Sequence, residues 1–243
     1  MSLSKYIPNT ITTLNLVCGS LGVVSAFGGD SVLAFCLMLL AAVFDFCDGL
    51  AARALGAYSA MGRELDSLCD MVSFGVLPFA MVYCNMQTYC LSGCFLLPFT
   101  ALLICVGAAL RLAKFNVDPS QSDSFSGLAS PVAALLCASL CCYVDCEPSS
   151  LLRDWCYGPF LMPLLSLLMC LLMVSNIPMF SMKFKKGQPQ ELKIKRVFFV
   201  IECAIIFGGV VLLQTNISLA VCLCCVLYIV KNFIFLLPLR DDR

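Results

Sequence analysis

Long apolar runs separated by short polar connections dominate the chain. Each run covers roughly 18 to 25 residues, the length that a helix needs to cross about 30 Å of hydrocarbon. We expect a transmembrane helix in each of eight runs: 8–28, 31–53, 64–86, 92–114, 127–145, 158–177, 196–214 and 217–237. The pattern predicts an all-α fold, a polytopic membrane helical bundle.

Composition agrees with this fold class and excludes an ordinary soluble domain. Of 243 residues, 61% are hydrophobic and 12% are charged, and the mean hydropathy is +0.96. Soluble domains carry about twice that share of charged residues. We therefore expect one integral membrane domain over 1–243, in which the first apolar run is a retained helix rather than a signal peptide.

The basic residues predict the orientation, because Lys and Arg accumulate in cytoplasmic loops. With the N-terminus inside, one side collects Lys5, Arg53, Arg63, Arg111, Lys114, Lys183, Lys185, Lys186, Lys193, Lys195, Arg196, Arg240 and Arg243. The other side holds Arg153 with Asp30, Asp145, Glu147 and Asp154. Both termini are therefore expected in the cytoplasm. The basic cytoplasmic loop 178–196 either attracts anionic lipids or is simply a solvated positive-inside loop.

Eighteen cysteines are spread mostly through apolar runs, where a free thiol behaves as a small hydrophobic group. The chain has no histidine and no paired Cys-x-x-Cys motifs, which argues against a zinc site. A disulfide among Cys142, Cys146 and Cys156, near the predicted outer side, stays an open alternative.

Four aspartates lie at fixed offsets within or beside the second and third runs. They form Asp45-x-x-Asp48 and, after a short loop, Asp66-x-x-x-Asp70. Residues three or four apart share one face of a helix, so two adjacent helices can present two carboxylates each into one cavity. A carboxylate at membrane depth needs a cation, a partner or water. The four aspartates are therefore predicted metal ligands.

This ligand set suits a hard divalent cation, Mg2+ or Mn2+, because such ions prefer oxygen ligands and substrate phosphates. Two ions a few ångströms apart would clamp a phosphoryl group under attack. Gly49 and Gly62 leave space beside the helices, and Arg53 can direct two donors at a phosphate. Close helix packing is the alternative explanation for the two glycines.

The stretch from Asp45 to Asp70 resembles, at every fixed position and spacing, the signature of the CDP-alcohol phosphotransferases, integral membrane enzymes of phospholipid synthesis. The resemblance implies metal-dependent transfer of a phosphatidyl-type group from a CDP-linked lipid to a hydroxyl, with release of CMP. It implies metal ligands at Asp45, Asp48, Asp66 and Asp70, a general base at Asp70, and CDP-lipid contacts at Gly49, Arg53 and Gly62.

Further segments resemble the bacterial integral-membrane phosphatidylserine synthases of that family: 7–19, 70–76, 111–117, 125–131 and 175–177. Lys114 and Ala129 depart from the subfamily, which commonly has arginine and proline there. The resemblance implies CDP-diacylglycerol and L-serine as substrates, phosphatidylserine as product and a homodimer. With the orientation inferred from the basic residues, the enzyme is expected in the inner membrane with its site facing the cytoplasm.

Residues outside the signature have two interpretations each. Arg111 and Lys114, three apart at the end of the fourth run, either bind the serine carboxylate or mark the membrane boundary. Asn15, with Asn9, Thr10 and Thr13, either contacts the CDP-lipid or bonds to a neighbouring helix.

Two other functions remain as alternatives. A sibling enzyme could use glycerol 3-phosphate or inositol as the acceptor. A cation transporter would also explain carboxylates inside a bundle, but it has no need of Gly49 and Arg53 at these offsets, and an arginine would oppose cation passage.

Overall fold

The structure is a computed structural model that describes residues 6–89, 95–117, 125–179 and 190–236. Its helices are α1 (Tyr6–Phe27), α2 (Ser31–Leu55), α3 (Ala60–Met71), a π-helix (Val72–Val76), α4 (Leu77–Tyr89), a 3-10 helix (Leu97–Ala101), α5 (Leu102–Val117), α6 (Ser130–Cys146), α7 (Leu151–Tyr157), α8 (Leu161–Val174), α9 (Gln190–Leu212) and α10 (Ile217–Leu236). Two short strands, β1 (Phe125–Ser126) and β2 (Pro178–Met179), pair antiparallel.

The predicted all-α membrane bundle is confirmed. Five helical segments are long and apolar enough to cross a membrane: Tyr6–Phe27, Ser31–Leu55, Ala60–Thr88, Leu97–Val117 and Ile217–Ile234. Ser130–Cys146 and Leu161–Val174 are shorter apolar helices that overlap the predicted spans 127–145 and 158–177. The remaining span, 196–214, overlaps α9, which begins six residues earlier at Gln190. The predicted basic loop 178–196 is therefore partly helical, and residues 180–189 lie outside the described ranges.

Two tight turns fold the first three helices against one another. Between α1 and α2, Gly29 has a φ of +84°, and the Asp30 carboxylate accepts a hydrogen bond from the Leu33 amide at 2.9 Å. Between α2 and α3, Gly56 adopts the left-handed conformation, and the Ser59 hydroxyl caps α3 by accepting from the Gly62 amide at 2.9 Å. These local caps return α3 alongside the end of α2, where the first aspartates lie.

The helix α6 forms the centre of the bundle and packs against α2, α4 and α10. Small buried side chains, such as Ala133, Ala134 and Ala138, allow these close approaches. The segment before α6 is fixed to the segment that follows α8, because the Gly127 amide donates to the Ile177 carbonyl at 2.8 Å. Only glycine fits there, since its φ is +79° and a Cβ would lie 2.6 Å from the Met173 carbonyl oxygen.

The sixteen cysteines in the described part of the chain are all free thiols, including Cys142, Cys146 and Cys156. The structure therefore contains no disulfide among these three cysteines. Seven of the sixteen are partly buried, Cys36 is exposed, and eight are buried: Cys18, Cys69, Cys137, Cys141, Cys142, Cys156, Cys222 and Cys225. They occupy the interior as small apolar side chains, as expected.

Candidate active site at the aspartate cluster

Three of the four predicted aspartates meet in space. One carboxylate oxygen from each of Asp45, Asp48 and Asp66 lies within 4.8 Å of the other two. Asp48 is buried, and the Thr12 hydroxyl of α1 donates to its Oδ2 at 2.5 Å. Three hard oxygen donors converging at one point fit a divalent cation, which would offset their mutual repulsion. We call Asp45, Asp48 and Asp66 the aspartate triad.

Asp70 lies one helical turn beyond Asp66, beside the triad, and its charge interacts with those of Asp45 and Asp66. Its Oδ1 accepts a hydrogen bond at 3.1 Å from the side-chain amide of Asn15 on α1. The π-helix that begins at Val72 follows almost immediately. Such turns are frequent at functional sites because the extra residue redirects the neighbouring side chains.

A polar cavity of about 610 Å³ opens on one side of the triad, and we call it the first cavity. It contains all of the predicted CDP-lipid contacts of the aspartate signature. The lining includes Asp48, Asp66, Gly49, Arg53 and Gly62, with Asn9 and Arg63. Every lining residue lies between positions 8 and 66, so α1, α2, α3 and the α2–α3 turn build the whole cavity.

The two signature glycines differ in their surroundings. A Cβ on Gly49 would find its nearest neighbours, the guanidinium nitrogens of Arg53, at 4.0 Å. No helix packs against Gly49 within the described ranges, so helix packing does not explain this glycine. A Cβ on Gly62 would lie 2.9 Å from Asn9 Oδ1 and from Ser59 Oγ. Gly62 therefore permits a close approach of α1 and also lines the cavity.

A second cavity, of about 670 Å³, lies on the other side of the cluster. Its polar end holds Asp45, Asp66, Asp70 and Arg111, together with Arg63, Ser67 and Asn116. Ser67 and Asn116 bond to each other across α3 and α5, with the Asn116 amide donating to Ser67 Oγ at 2.9 Å. The remaining wall is mostly apolar and comes from α2, α5, α6, α9 and α10. Asp66 and Arg63 line both cavities.

Arg111 is the buried cation of the second cavity, with 8% of its surface exposed. Its Nη1 donates to Ser130 Oγ at 3.1 Å, while its Nε has no acceptor among the described residues. A buried guanidinium with an unused donor is suited to a carboxylate ligand. Lys114 behaves differently: it is partly exposed on the surface of α5, bonds to Asn176 and does not line the cavity.

The polar residues of α1 divide into three groups. Asn9 lines the first cavity. Thr10 and Thr13 donate to carbonyls of their own helix, at 2.9 Å and 2.8 Å. Asn15 is fully buried and bonds to Asp70 and Ser73 instead of lining the first cavity.

Sequence reasoning missed the contributions of Thr12, Ser67, Ser73 and Asn116. Thr12 lies three residues before Asn15, and Ser73 three residues after Asp70, so a search at helical spacing around known polar positions would have found both.

A membrane helical bundle that brings three carboxylates together beside a cavity lined by an arginine is suited to phosphoryl-transfer chemistry with a bound divalent cation. The chain belongs to the CDP-alcohol phosphatidyltransferase family, whose model matches residues 5–235. The match covers nearly the whole chain and confirms the family predicted from the aspartate signature.

Several relatives carry more specific names. The chain is 35% identical over 192 residues to the CDP-diacylglycerol–serine O-phosphatidyltransferase of Bacillus subtilis, covering 79% of this chain and 98% of that protein. It is 33% identical over 202 residues to the protein of the same name from Methanocaldococcus jannaschii, covering 83% and 84%. It is also 35% identical over 135 residues to an archaetidylserine synthase from Methanothermobacter thermautotrophicus, covering 55% and 56%.

Proposed function

We propose that this protein is a CDP-diacylglycerol–serine O-phosphatidyltransferase, which transfers the phosphatidyl group of CDP-diacylglycerol to the hydroxyl of L-serine. The products are phosphatidylserine and CMP. The observation that carries the proposal is the position of the aspartate cluster between two cavities, one lined by Arg53 and the other by Arg111. The names of the relatives support serine as the acceptor.

The aspartate triad, with Asp70 beside it, would hold two divalent ions, Mg2+ or Mn2+. When bound, the ions supply neutralisation of the charge that develops on the leaving CMP. The carboxylates fix where that positive charge lies, and the Thr12 hydrogen bond fixes the orientation of Asp48.

The first cavity would take the CDP part of the lipid. Gly49 leaves the wall of α2 open, so a nucleotide can lie directly against the helix. Arg53, one turn further along α2, can fork two donors onto the diphosphate. Gly62 keeps the start of α3 close to α1 and completes this wall.

The second cavity would take serine. Arg111 would bind its carboxylate through the donor that has no protein acceptor, and Asp70 would remove the proton from its hydroxyl. The hydroxyl oxygen then forms a bond to the phosphatidyl phosphorus while the bond from phosphorus to the CMP oxygen breaks. Lys114, although it was also predicted to bind serine, lies outside the lining and has a smaller part in this proposal.

The setting of the enzyme is part of the proposal. We place it as a single domain in the inner membrane, as a homodimer, with both termini and the active site facing the cytoplasm. Arg53, Arg63 and Arg111 lie around the site, and cytoplasmic ends of membrane helices are enriched in such residues. Serine and the CDP headgroup would enter from water, while the acyl chains stay in hydrocarbon.

A purified preparation in phosphatidylcholine vesicles tests this function. CDP-diacylglycerol is supplied with L-serine, inositol or glycerol 3-phosphate, and CMP and the lipid product are measured with and without EDTA. We expect turnover with serine that is abolished by EDTA and by Asp70→Asn. The matched control is Asp154→Asn, an exposed carboxylate on α7, which should retain full activity.

Each contrary result points to a different function. Turnover with inositol or glycerol 3-phosphate but not with serine would make the protein a sibling enzyme. Cation flux across the vesicles without CMP release would identify a transporter.

A further inference from the structure

Asn15 joins the catalytic carboxylate to a residue outside the aspartate signature. Its amide nitrogen donates to Asp70 Oδ1 at 3.1 Å. Its amide oxygen accepts from the Ser73 hydroxyl at 2.6 Å. Asn15 and Ser73 are both fully buried. If one side chain is removed, water cannot readily replace its hydrogen bond, and the polar group of its partner is left unsatisfied. The three side chains form one continuous chain of hydrogen bonds from Ser73 to Asp70.

Two features of the backbone make this contact possible. Ser73 lies within the π-helix Val72–Val76, whose wider turn follows directly on the turn of Asp70. Gly19, one turn after Asn15 on α1, faces Ser73: a Cβ at Gly19 would overlap the Ser73 hydroxyl and lie 3.0 Å from the Ser73 Cα. The absence of a side chain at Gly19 therefore lets Ser73 approach α1 closely enough to reach Asn15.

The direction of these bonds determines which end of the amide faces Asp70. A carboxylate only accepts hydrogen bonds, so it needs the NH2 group of Asn15 rather than its oxygen. The Ser73 hydroxyl also lies 3.2 Å from the Asn15 backbone carbonyl, but its shorter bond is to the side-chain oxygen. That bond holds the amide oxygen away from Asp70. Without it, a rotated amide would place an oxygen against the carboxylate.

We propose that Ser73 is a positioning residue that acts through Asn15 to hold the Asp70 carboxylate in its working orientation. This inference rests on the proposed function, because Asp70 is the base only in that reaction. Asn15 is then not a CDP-lipid contact but the middle member of a relay. The hydrogen bond from Asn15 holds Oδ1 of Asp70 in place. The Asp70 carboxylate therefore cannot rotate freely about its Cβ–Cγ bond, and its orientation is fixed before the acceptor binds.

The test uses the full chain in vesicles, with kcat and KM measured for CDP-diacylglycerol and serine in three variants. Asn15→Leu should lower kcat by about 10- to 100-fold, the usual range for a residue that orients a functional group. Ser73→Ala should lower kcat by about 10-fold, because Asn15 stays but loses its fixed direction. Both KM values should stay within about twofold, since neither residue lines the first or the second cavity.

The double variant Asn15→Leu/Ser73→Ala distinguishes a relay from two residues that affect kcat independently. If Ser73 acts through Asn15, then adding Ser73→Ala to Asn15→Leu should lower kcat no further. Two losses that multiply would overturn the proposal, as would a Ser73→Ala protein with unchanged kcat. The matched control is Ser166→Ala, because Ser166 is equally buried but donates to the Met162 carbonyl of its own helix at 2.9 Å. It should leave kcat unchanged.

Folding is checked by the thermal midpoint with and without Mn2+. The aspartate triad is intact in every variant, so the Mn2+-induced rise should be kept. If Ser73→Ala does not fold, Ser73→Cys keeps the volume with a weaker donor and should still lower kcat; an unchanged kcat there overturns the relay. A wild type that releases no CMP with any alcohol overturns the proposed function and the relay together, whereas unaffected variants of an active enzyme overturn the relay alone.

Discussion

The first and second cavities share Asp66 and Arg63 but are built in different ways. The first is lined by residues 8–66 only, and most of its wall is the hairpin of α2 and α3 with α1 against it. The second draws its lining from residues 39–228, on six helices. The CDP-lipid proposed for the first cavity would therefore be held mainly by one local hairpin, whereas the serine proposed for the second cavity would be held by helices from the whole bundle.

This comparison makes a kinetic prediction for the two cavities. A substitution that touches only the first cavity should change the parameters of CDP-diacylglycerol, and one that touches only the second should change those of serine. A substitution in the aspartate triad or at Asp70 should change kcat. A first-cavity variant that changes the parameters of serine, or a second-cavity variant that changes those of CDP-diacylglycerol, would contradict this assignment.

The largest effects are expected at the aspartates. Asp70→Asn removes the proposed base, and kcat should fall by about 10²- to 10⁴-fold. One carboxylate beside the two ions is lost but the aspartate triad remains, so most of the rise of the thermal midpoint with Mn2+ should persist. Asp66→Asn should remove activity and also reduce that rise, because Asp66 is a member of the triad and of both cavities.

Calorimetry with and without Mn2+ checks the contrast between these two variants. Asp154→Asn serves as the control for loss of a carboxylate charge. If Asp66→Asn keeps the full Mn2+-induced rise, the triad is not the metal site.

The second prediction concerns Arg111 and sharpens the role of the second cavity. Arg111→Lys keeps the charge but loses the planar fork, so KM for serine should rise by about 10- to 100-fold. KM for CDP-diacylglycerol should change by less than about twofold. Lys114→Ala, three residues along the same helix, removes a cation that does not line the cavity and should have little effect.

Initial rates over a range of each substrate measure these constants. A rise in the KM of CDP-diacylglycerol with Arg111→Lys would mean that the two substrates share this cation. An equal response of both variants would favour the interpretation that Arg111 and Lys114 only mark the membrane boundary.

The sequence predicted the hairpin side of the site well, because its signals are local. Asp45, Asp48 and Asp66 are related by helical spacing and one short turn, so their meeting follows from the geometry of two adjacent helices. Gly56 and Ser59 supply that turn with residues that favour it. The hydrogen-bond partner of Asp70 could not be predicted in this way, since it is Asn15 from another helix.

The bundle side could not be predicted, for a physical reason. In a membrane both the lipid-facing and the buried faces of a helix are apolar, so the sequence pattern does not show which face lies inward. Phe207 and Tyr228 line the second cavity, yet nothing in the apolar runs around them distinguishes them from lipid-facing neighbours. Sequence reasoning likewise gave Arg111 and Lys114 the same role, although only Arg111 is buried against the site.

The third prediction tests whether the space at Gly49 serves the first cavity. Gly49→Ala adds a Cβ that meets nothing closer than 4.0 Å, so the thermal midpoint should not change. The methyl group enters the space assigned to the nucleotide, and KM for CDP-diacylglycerol should rise by about 10-fold, while KM for serine stays constant.

The matched control for Gly49 is Gly107→Ala. Its Cβ would lie 2.9 Å from the Cα of Cys170 on α8, so this variant should lower the thermal midpoint and leave both KM values unchanged. If Gly49→Ala also lowers the midpoint without affecting KM, the glycine serves packing, and the first cavity loses one of its assigned contacts.

The smallest effect is expected at Thr12, which touches the cluster only through Asp48. Thr12→Val keeps the shape of the side chain and removes the hydroxyl that donates to Asp48 Oδ2 at 2.5 Å. That hydroxyl also lies 3.0 Å from the Pro8 carbonyl, so its proton is shared between two acceptors. The concentration of Mn2+ that gives half-maximal activity should therefore rise by only about 3- to 10-fold, at the low end for a residue that orients a metal ligand. Thr13→Val should leave that concentration unchanged, because the Thr13 hydroxyl donates to the Asn9 carbonyl of its own helix and not to an aspartate. An equal shift in both variants would assign the effect to the helix rather than to Asp48.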